Sequence, residues 1–221
     1  MFIGTDRPGD DPGSPFVVTS GGSYSAAPSL PPRGAAFTYQ WQGNNVSFNG
    51  PTTDGASVSF TAGNNAPDGS PSAAAISLTE VNGAGDSVTS TRGGLVYPSP
   101  VIPPFTVTKQ GSLTPIDKFS DSSGDASYTY TATLTPRPGM QYFWTVPGNN
   151  SLSLSGAQSE TCSFTFGTNG SAEGNRVMIQ VQELNAIGDS ASGRDGYTVY
   201  SGPPVKRGEE GRLGRIGFVC N

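Results

Sequence analysis

The 221-residue sequence contains no histidine. That absence removes the commonest general base, the Ser-His-Asp triad and most zinc sites together. Charge is also scarce, with Asp, Glu, Lys and Arg making up only 13% of the chain. Helices draw on Leu, Ala, Glu and Lys along an amphipathic face, and no run of helix length carries that pattern. Hydrophobic residues reach 33%, and no apolar run approaches the roughly 18 residues that would mark a membrane span. With a net charge of −5 and only 12 scattered Lys and Arg, there is no basic face for phosphates. Neither nucleic acid nor a membrane is an expected partner. The opening Met1-Phe-Ile-Gly-Thr-Asp-Arg7 lacks the charged-then-apolar order of a signal peptide. Read as a native start, Met1 gives the expectation of a protein made and held in a cytoplasm until it is released.

Cysteine is limited to Cys162 and Cys220. Cys162 stands where the first half of the chain has Val58 (Thr161-Cys-Ser-Phe164 against Ser57-Val-Ser-Phe60), so it reads as a small buried hydrophobe. Cys220 lies in a polar tail, as a free thiol or an intermolecular link. The two are not expected to be joined to each other.

Glycine (31) and proline (19) are abundant. With Ser and Thr, they suit an all-β protein with many turns. The organising feature is a repeat. Ile76-Ser-Leu-Thr-Glu80-Val-Asn82-Gly-Ala-Gly85-Asp86-Ser87 recurs as Ile179-Gln-Val-Gln-Glu183-Leu-Asn185-Ala-Ile-Gly188-Asp189-Ser190. Both copies alternate apolar and polar residues and then reach Asn, Gly and Asp-Ser, the pattern of a half-buried strand entering a tight hairpin. Trp41 and Trp144, Asp86 and Asp189, and Tyr97 and Tyr200 all keep the same separation of 103 positions. Two copies of one domain follow, each of about 100 residues and large enough to bury its own core.

The expected divisions are an extended N-terminal arm over 1–15, domain 1 over 16–98, a proline-rich linker over 99–104, domain 2 over 105–204 and a C-terminal tail over 205–221. The arm is rich in Gly, Pro and Asp and cannot bury much apolar surface alone, which predicts that another chain holds it. Pro15-Phe-Val-Val-Thr19 and Pro104-Phe-Thr-Val-Thr108 read as matching first strands. A strand pair across a Pro-Arg turn follows in each copy, Tyr24 to Leu30 with Ala36 to Trp41, and Tyr128 to Thr135 with Met140 to Val146. Before its Tyr128 strand, domain 2 carries about 14 extra residues around Leu113 to Asp125, read as a longer polar loop. Between the domains, Tyr97-Pro-Ser-Pro-Val-Ile-Pro-Pro104 has four prolines in eight residues, which favours an extended, semi-rigid spacer with the domains end to end. The tail has no counterpart in the first copy, and its Leu213, Ile216, Phe218 and Val219 alternate enough to add a strand to a neighbour's sheet edge.

Tyr142-Phe-Trp144-Thr-Val-Pro-Gly148, Gly156, Cys162-Ser-Phe164, Ile179-x-Val181 and Asn185-x-x-Gly188-Asp-Ser190 together resemble the PKD-like branch of the immunoglobulin-like repeats. Tyr39-Gln-Trp41, Gly50 and Val58-Ser-Phe60 follow the pattern more loosely. The resemblance covers most of both domains. It implies seven-stranded antiparallel sandwiches with the tryptophans packed in their cores. Gly43-Asn-Asn45 and Gly148-Asn-Asn150 depart from it, standing where Phe-Gly-Asp-Gly is usual.

The recurrent carboxylates are Glu80 with Asp86 and Glu183 with Asp189. Their occurrence at one place in both copies favours a fold role over catalysis, with the Asp capping hairpin N–H groups and the Glu ending the strand. Calcium would need several oxygens, from Asp86 or Asp189 with loop carbonyls or from Asp121-Ser-Ser-Gly-Asp125, all of which are also ordinary turns; no cofactor is expected. Gly193-Arg-Asp-Gly196 reads as the tip of a connecting loop.

The resulting expectation is a non-enzymatic structural protein of a bacteriophage virion, a capsid decoration or cement protein. Its partners would be the major capsid protein and other virion proteins, many copies of itself on a lattice, and a host-surface glycan. The alternative is a cell-surface or extracellular adhesive or filament protein. Phe2 and Ile3 at one end and Leu213, Ile216, Phe218 and Val219 at the other are the candidate partner-binding residues, since large apolar groups in segments that cannot fold alone call for another chain.

Overall fold

The computed structural model describes residues 2–4, 14–28, 33–53, 57–116, 118–120, 128–147, 152–155, 158–166 and 174–201. Every element among them is a strand. In chain order the first half forms β1 (Phe2–Gly4), β2 (Phe16–Thr19), β3 (Ser23–Ala27), β4 (Phe37–Asn44), β5 (Val46–Phe48), β6 (Val58–Ala62), β7 (Ser72–Asn82) and β8 (Ser87–Tyr97). The second half forms β9 (Phe105–Lys109), β10 (Lys118–Ser120), β11 (Tyr130–Leu134), β12 (Met140–Thr145), β13 (Leu152–Ser155), β14 (Thr161–Phe166), β15 (Asn175–Asn185) and β16 (Ser190–Tyr200).

Each half closes two four-stranded sheets with one topology: β1-β3-β6-β5 against β2-β8-β7-β4, and β9-β11-β14-β13 against β10-β16-β15-β12. This is the immunoglobulin-like arrangement, a sheet of four against a sheet built on the long hairpin. The chain is therefore a tandem of two immunoglobulin-like sandwiches. The alternation seen in the repeat fixes which face turns inward: Ala74, Ile76 and Leu78 of β7 are buried while their neighbours are not, and Val177, Ile179 and Val181 do the same in β15. Phe60 of β6 and Phe164 of β14 meet them from the opposite sheets and are fully buried. A phenylalanine so placed contributes about 2–3 kcal/mol by burial alone. Trp41 and Trp144 keep only 2% and 3% exposure, with Trp144 Nε1 donating to the Ser159 carbonyl over 2.7 Å. Cys162 lies in the second core beside Ala132 of β11, as its equivalence with Val58 predicts.

Several expectations are corrected. Residues 2–4 are part of domain 1, since β1 pairs antiparallel with β3 through Phe2↔Ala27 and Ile3↔Ala26. Arg92 Nε also donates to the Ser14 carbonyl, fastening the entry to β2. The matching first strands are consequently β1 with β9, both antiparallel to the next strand of their sheet, and β2 with β10, both parallel to the last strand. Pro15–Thr19 and Pro104–Thr108 are not equivalents, and the stretch around Leu113 to Asp125 is not wholly an added loop, since its Lys118–Ser120 form β10, the counterpart of β2; Asp121–Asp125 lie outside the described residues. The first strand of each sandwich is thus divided between the sheets, giving eight segments where seven strands are expected.

The Pro-Arg turns do not close hairpins. β3 and β4 lie in opposite sheets, as do β11 and β12. A tight two-residue turn would keep its strands hydrogen-bonded, whereas the five residues 135–139, extended, reach about 17 Å and span the roughly 10 Å between sheets. Gly193–Gly196 is not a loop tip but runs inside β16, where Arg194 pairs with Gln180. At Gly43–Asn45, Asn45 adopts φ +54° and its side-chain amide bonds Asn64 and the Ala73 carbonyl, so the residue that departs from the family pattern works as a left-handed corner between β4 and β5.

Candidate functional site

The two long hairpins end in the same device. Asn185 Oδ1 accepts from the amides of Ile187 and Asp189, and Asn82 Oδ1 accepts from those of Ala84 and Asp86. The capping side chain is the asparagine, not the expected aspartate; each Asp carboxylate instead accepts from the Asn amide. This leaves the Glu two residues before the Asn, on the inward side of the strand end, as the group to be accounted for.

In domain 2 that group, Glu183, is fully buried. Taking a carboxylate out of water is expensive unless its oxygens are satisfied. Arg137 Nη1 donates to Oε1 over 2.6 Å, the Val101 amide donates to Oε1 over 2.9 Å, and the Tyr142 hydroxyl donates to Oε2 over 3.0 Å. Tyr142 is held in turn by the Arg137 amide over 2.7 Å. Burial, together with the Glu183 carboxylate, holds the Tyr142 phenol above its ordinary pKa, so it stays a donor. Arg137 also reaches the Ser99 carbonyl at 3.3 Å, and Asn185 Nδ2 donates to the Pro98 carbonyl over 2.9 Å.

These bonds make a clamp. Every linker group it grips, at Pro98, Ser99 and Val101, belongs to the backbone. The linker expected as a free spacer is fastened along one side to the end of domain 2. Two further contacts complete the junction. The Thr19 hydroxyl, at the end of β2, donates to the Asp189 carboxylate. Gly69 and Gly139 meet backbone to backbone: a Cβ on Gly69 would stand 2.2 Å from the Pro138 carbonyl, and one on Gly139 would stand 2.3 Å from the Gly69 carbonyl oxygen. Both glycines also have positive φ, +79° and +75°.

The candidate residues read from sequence fall elsewhere. Phe2 and Ile3 lie in β1. Leu213, Ile216, Phe218 and Val219, with Cys220, lie outside the described residues, as does Asp121–Asp125. Among the described residues no group of three metal-ligating side chains exists. Asp86 and Asp189 are engaged with Asn82 and with Asn185 and Thr19. Arg137 and the linker contacts of Glu183 were not anticipated. The signal available was the repetition of polar residues between the copies: Tyr39 with Tyr142 and Glu80 with Glu183 at 103 positions, and Arg33 with Arg137 at 104.

No protein-family model and no curated protein matches the chain. Among solved structures it is similar to the fibronectin(III)-like modules of Clostridium thermocellum CbhA, at 13% identity and TM-score 0.35, over 93% of this chain and 98% of that one. It is similar to the D00-D0 domain of intimin at 9% identity and TM-score 0.31, over 86% and 97%. A marsupial T cell receptor aligns at 10% identity and TM-score 0.44, over 85% and 71%.

Proposed function

We propose that the chain is a non-enzymatic structural protein that works as a preset two-sandwich unit of a larger assembly, and that the assembly is a phage virion whose capsid it decorates. The observation that supports the structural role is the clamp. The most deeply buried charged group among the described residues, Glu183, is committed to joining one domain to the next. A catalytic carboxylate needs access to substrate, and this one has none. In this reading the sandwiches stand off the shell while Leu213, Ile216, Phe218 and Val219, together with Phe2 and Ile3 of β1, contact the major capsid protein. No cofactor takes part, and a host-surface glycan is a secondary ligand.

A cell-surface or extracellular adhesive protein is the second reading, favoured by the fastening of one repeated module to the next through the linker, which suits a stalk as well as a capsid ornament. Immunogold electron microscopy of the source culture separates the two. Gold on capsids of free particles is the expected result. Gold on the cell envelope, with particles bare, would replace the first reading with the second.

A further inference from the structure

The clamp exists twice. At the corresponding end of domain 1, the Arg33 amide donates to the Tyr39 hydroxyl over 2.7 Å, just as Arg137 does to Tyr142. Arg33 Nε pairs with Glu80 Oε1 at 3.5 Å, and Asn82 holds its turn as Asn185 does. What differs is the cover. The Glu183 side chain is 0% exposed, the Glu80 side chain 19%; Arg137 is 39% exposed, Arg33 63%. Asn185 is buried with its amide on the Pro98 carbonyl, whereas Asn82 is half-buried and its amide bonds Asp86. Asp189 takes the Thr19 hydroxyl, whereas Asp86 is exposed.

We infer that Arg33, Tyr39, Glu80, Asn82 and Asp86 form a second, open clamp that binds the exit segment of domain 2 from another copy of this chain, joining copies head to tail. The occupant follows from what the closed clamp grips, which is the extended, proline-stiffened backbone leaving β8. In the sequence, Tyr200-Ser-Gly-Pro203 follows β16 as Tyr97-Pro-Ser-Pro100 follows β8, 103 positions on. The carbonyls of Ser201 and Gly202 thereby take the places of those of Pro98 and Ser99. Two differences weaken the contact between copies. Pro204 falls at the position of Val101 and has no N–H, and Ala84 stands where domain 2 has Ile187. The linked clamp also enjoys an effective concentration in the millimolar range that separate copies lack. Association is therefore expected at hundreds of micromolar, or wherever a lattice concentrates the chain. Since the two surfaces differ, the contact is heterologous and propagates as an open row. This holds whether the assembly is a virion or a cell-surface stalk.

Sedimentation velocity and small-angle scattering of the full chain from about 10 µM to about 1 mM test it. Mass that rises with concentration, with scattering that lengthens along one axis, is expected. The double variant Arg33→Ala/Glu80→Ala should lower the association constant at least about tenfold while melting within about 4 °C of wild type. A wild-type chain still monomeric at about 1 mM, or a double variant that associates as the wild type does, overturns the proposal, as does a closed dimer of fixed mass.

Discussion

Replacing Glu183 by Ala probes the clamp where it is most exposed to failure. The substitution deletes one acceptor group and strands three donors, the Val101 amide, the Arg137 guanidinium and the Tyr142 hydroxyl. Breaking a buried ion pair by removing one partner costs about 3–5 kcal/mol. Arg137 is 39% exposed, so water recovers part of its solvation and the lower end, about 3 kcal/mol, is the expected loss. Glu80→Ala supplies the internal control. It removes the same residue from the same repeated stretch, but its partner is a 3.5 Å ion pair to an exposed Arg33, worth at most about 1 kcal/mol. Urea denaturation reads both. With a slope of about 1–3 kcal/mol per M, Glu183→Ala moves the domain 2 midpoint down by at least about 1 M, and Glu80→Ala moves that of domain 1 by much less. Equal losses for the two variants would refute the reasoning, because they would mean that the linker contributes nothing to holding Glu183.

Trp41→Ala and Trp144→Ala should each cost about 3–5 kcal/mol in their own domain, measured by thermal unfolding, and an unchanged melting temperature for either would contradict its place in the core. Cys162 should resist alkylation until domain 2 unfolds, so mass spectrometry that finds it labelled within seconds in native buffer would contradict its burial. Asp68 accepts from the Ser70 hydroxyl and amide, which hold its carboxyl below the ordinary 3.8. A folded pKa lowered in this way gives a contribution that is present above the unfolded value and lost as pH falls through the folded one. Ser70→Ala should raise the Asp68 titration toward 3.8 by NMR, and an unmoved curve would disprove the assignment.

Much of the fold is legible in the sequence because the copies repeat it. Alternation in Ile76–Glu80 and Ile179–Glu183 marks the strands, and the conserved separation of the tryptophans marks the register. The first strands are harder. β1 and β10 have three residues each, too few for a period to show, and the Gly, Pro and Asp between β1 and β2 read as a tail. The repeat still marks these elements, though not their exact register: Phe2 and Phe105, Pro12 and Pro115, and Phe16 and Phe119 are each 103 positions apart, while the ladders set Phe119 opposite Val199 where Val18 lies opposite Val96. The clamp was less accessible for a physical reason. Glu80 and Glu183 sit in nearly the same local sequence, and what buries one and not the other is the linker laid across it, a fact of tertiary placement that no local pattern encodes.

In the proposed function the clamp makes two sandwiches one unit. Residual dipolar couplings measured on the full chain test it most directly, because each domain reports its own alignment. One shared alignment tensor for domains 1 and 2 in the wild type, splitting into two of different magnitude in Glu183→Ala, is the predicted result. Two tensors of different magnitude already in the wild type would show the domains reorienting freely about the linker and would contradict it.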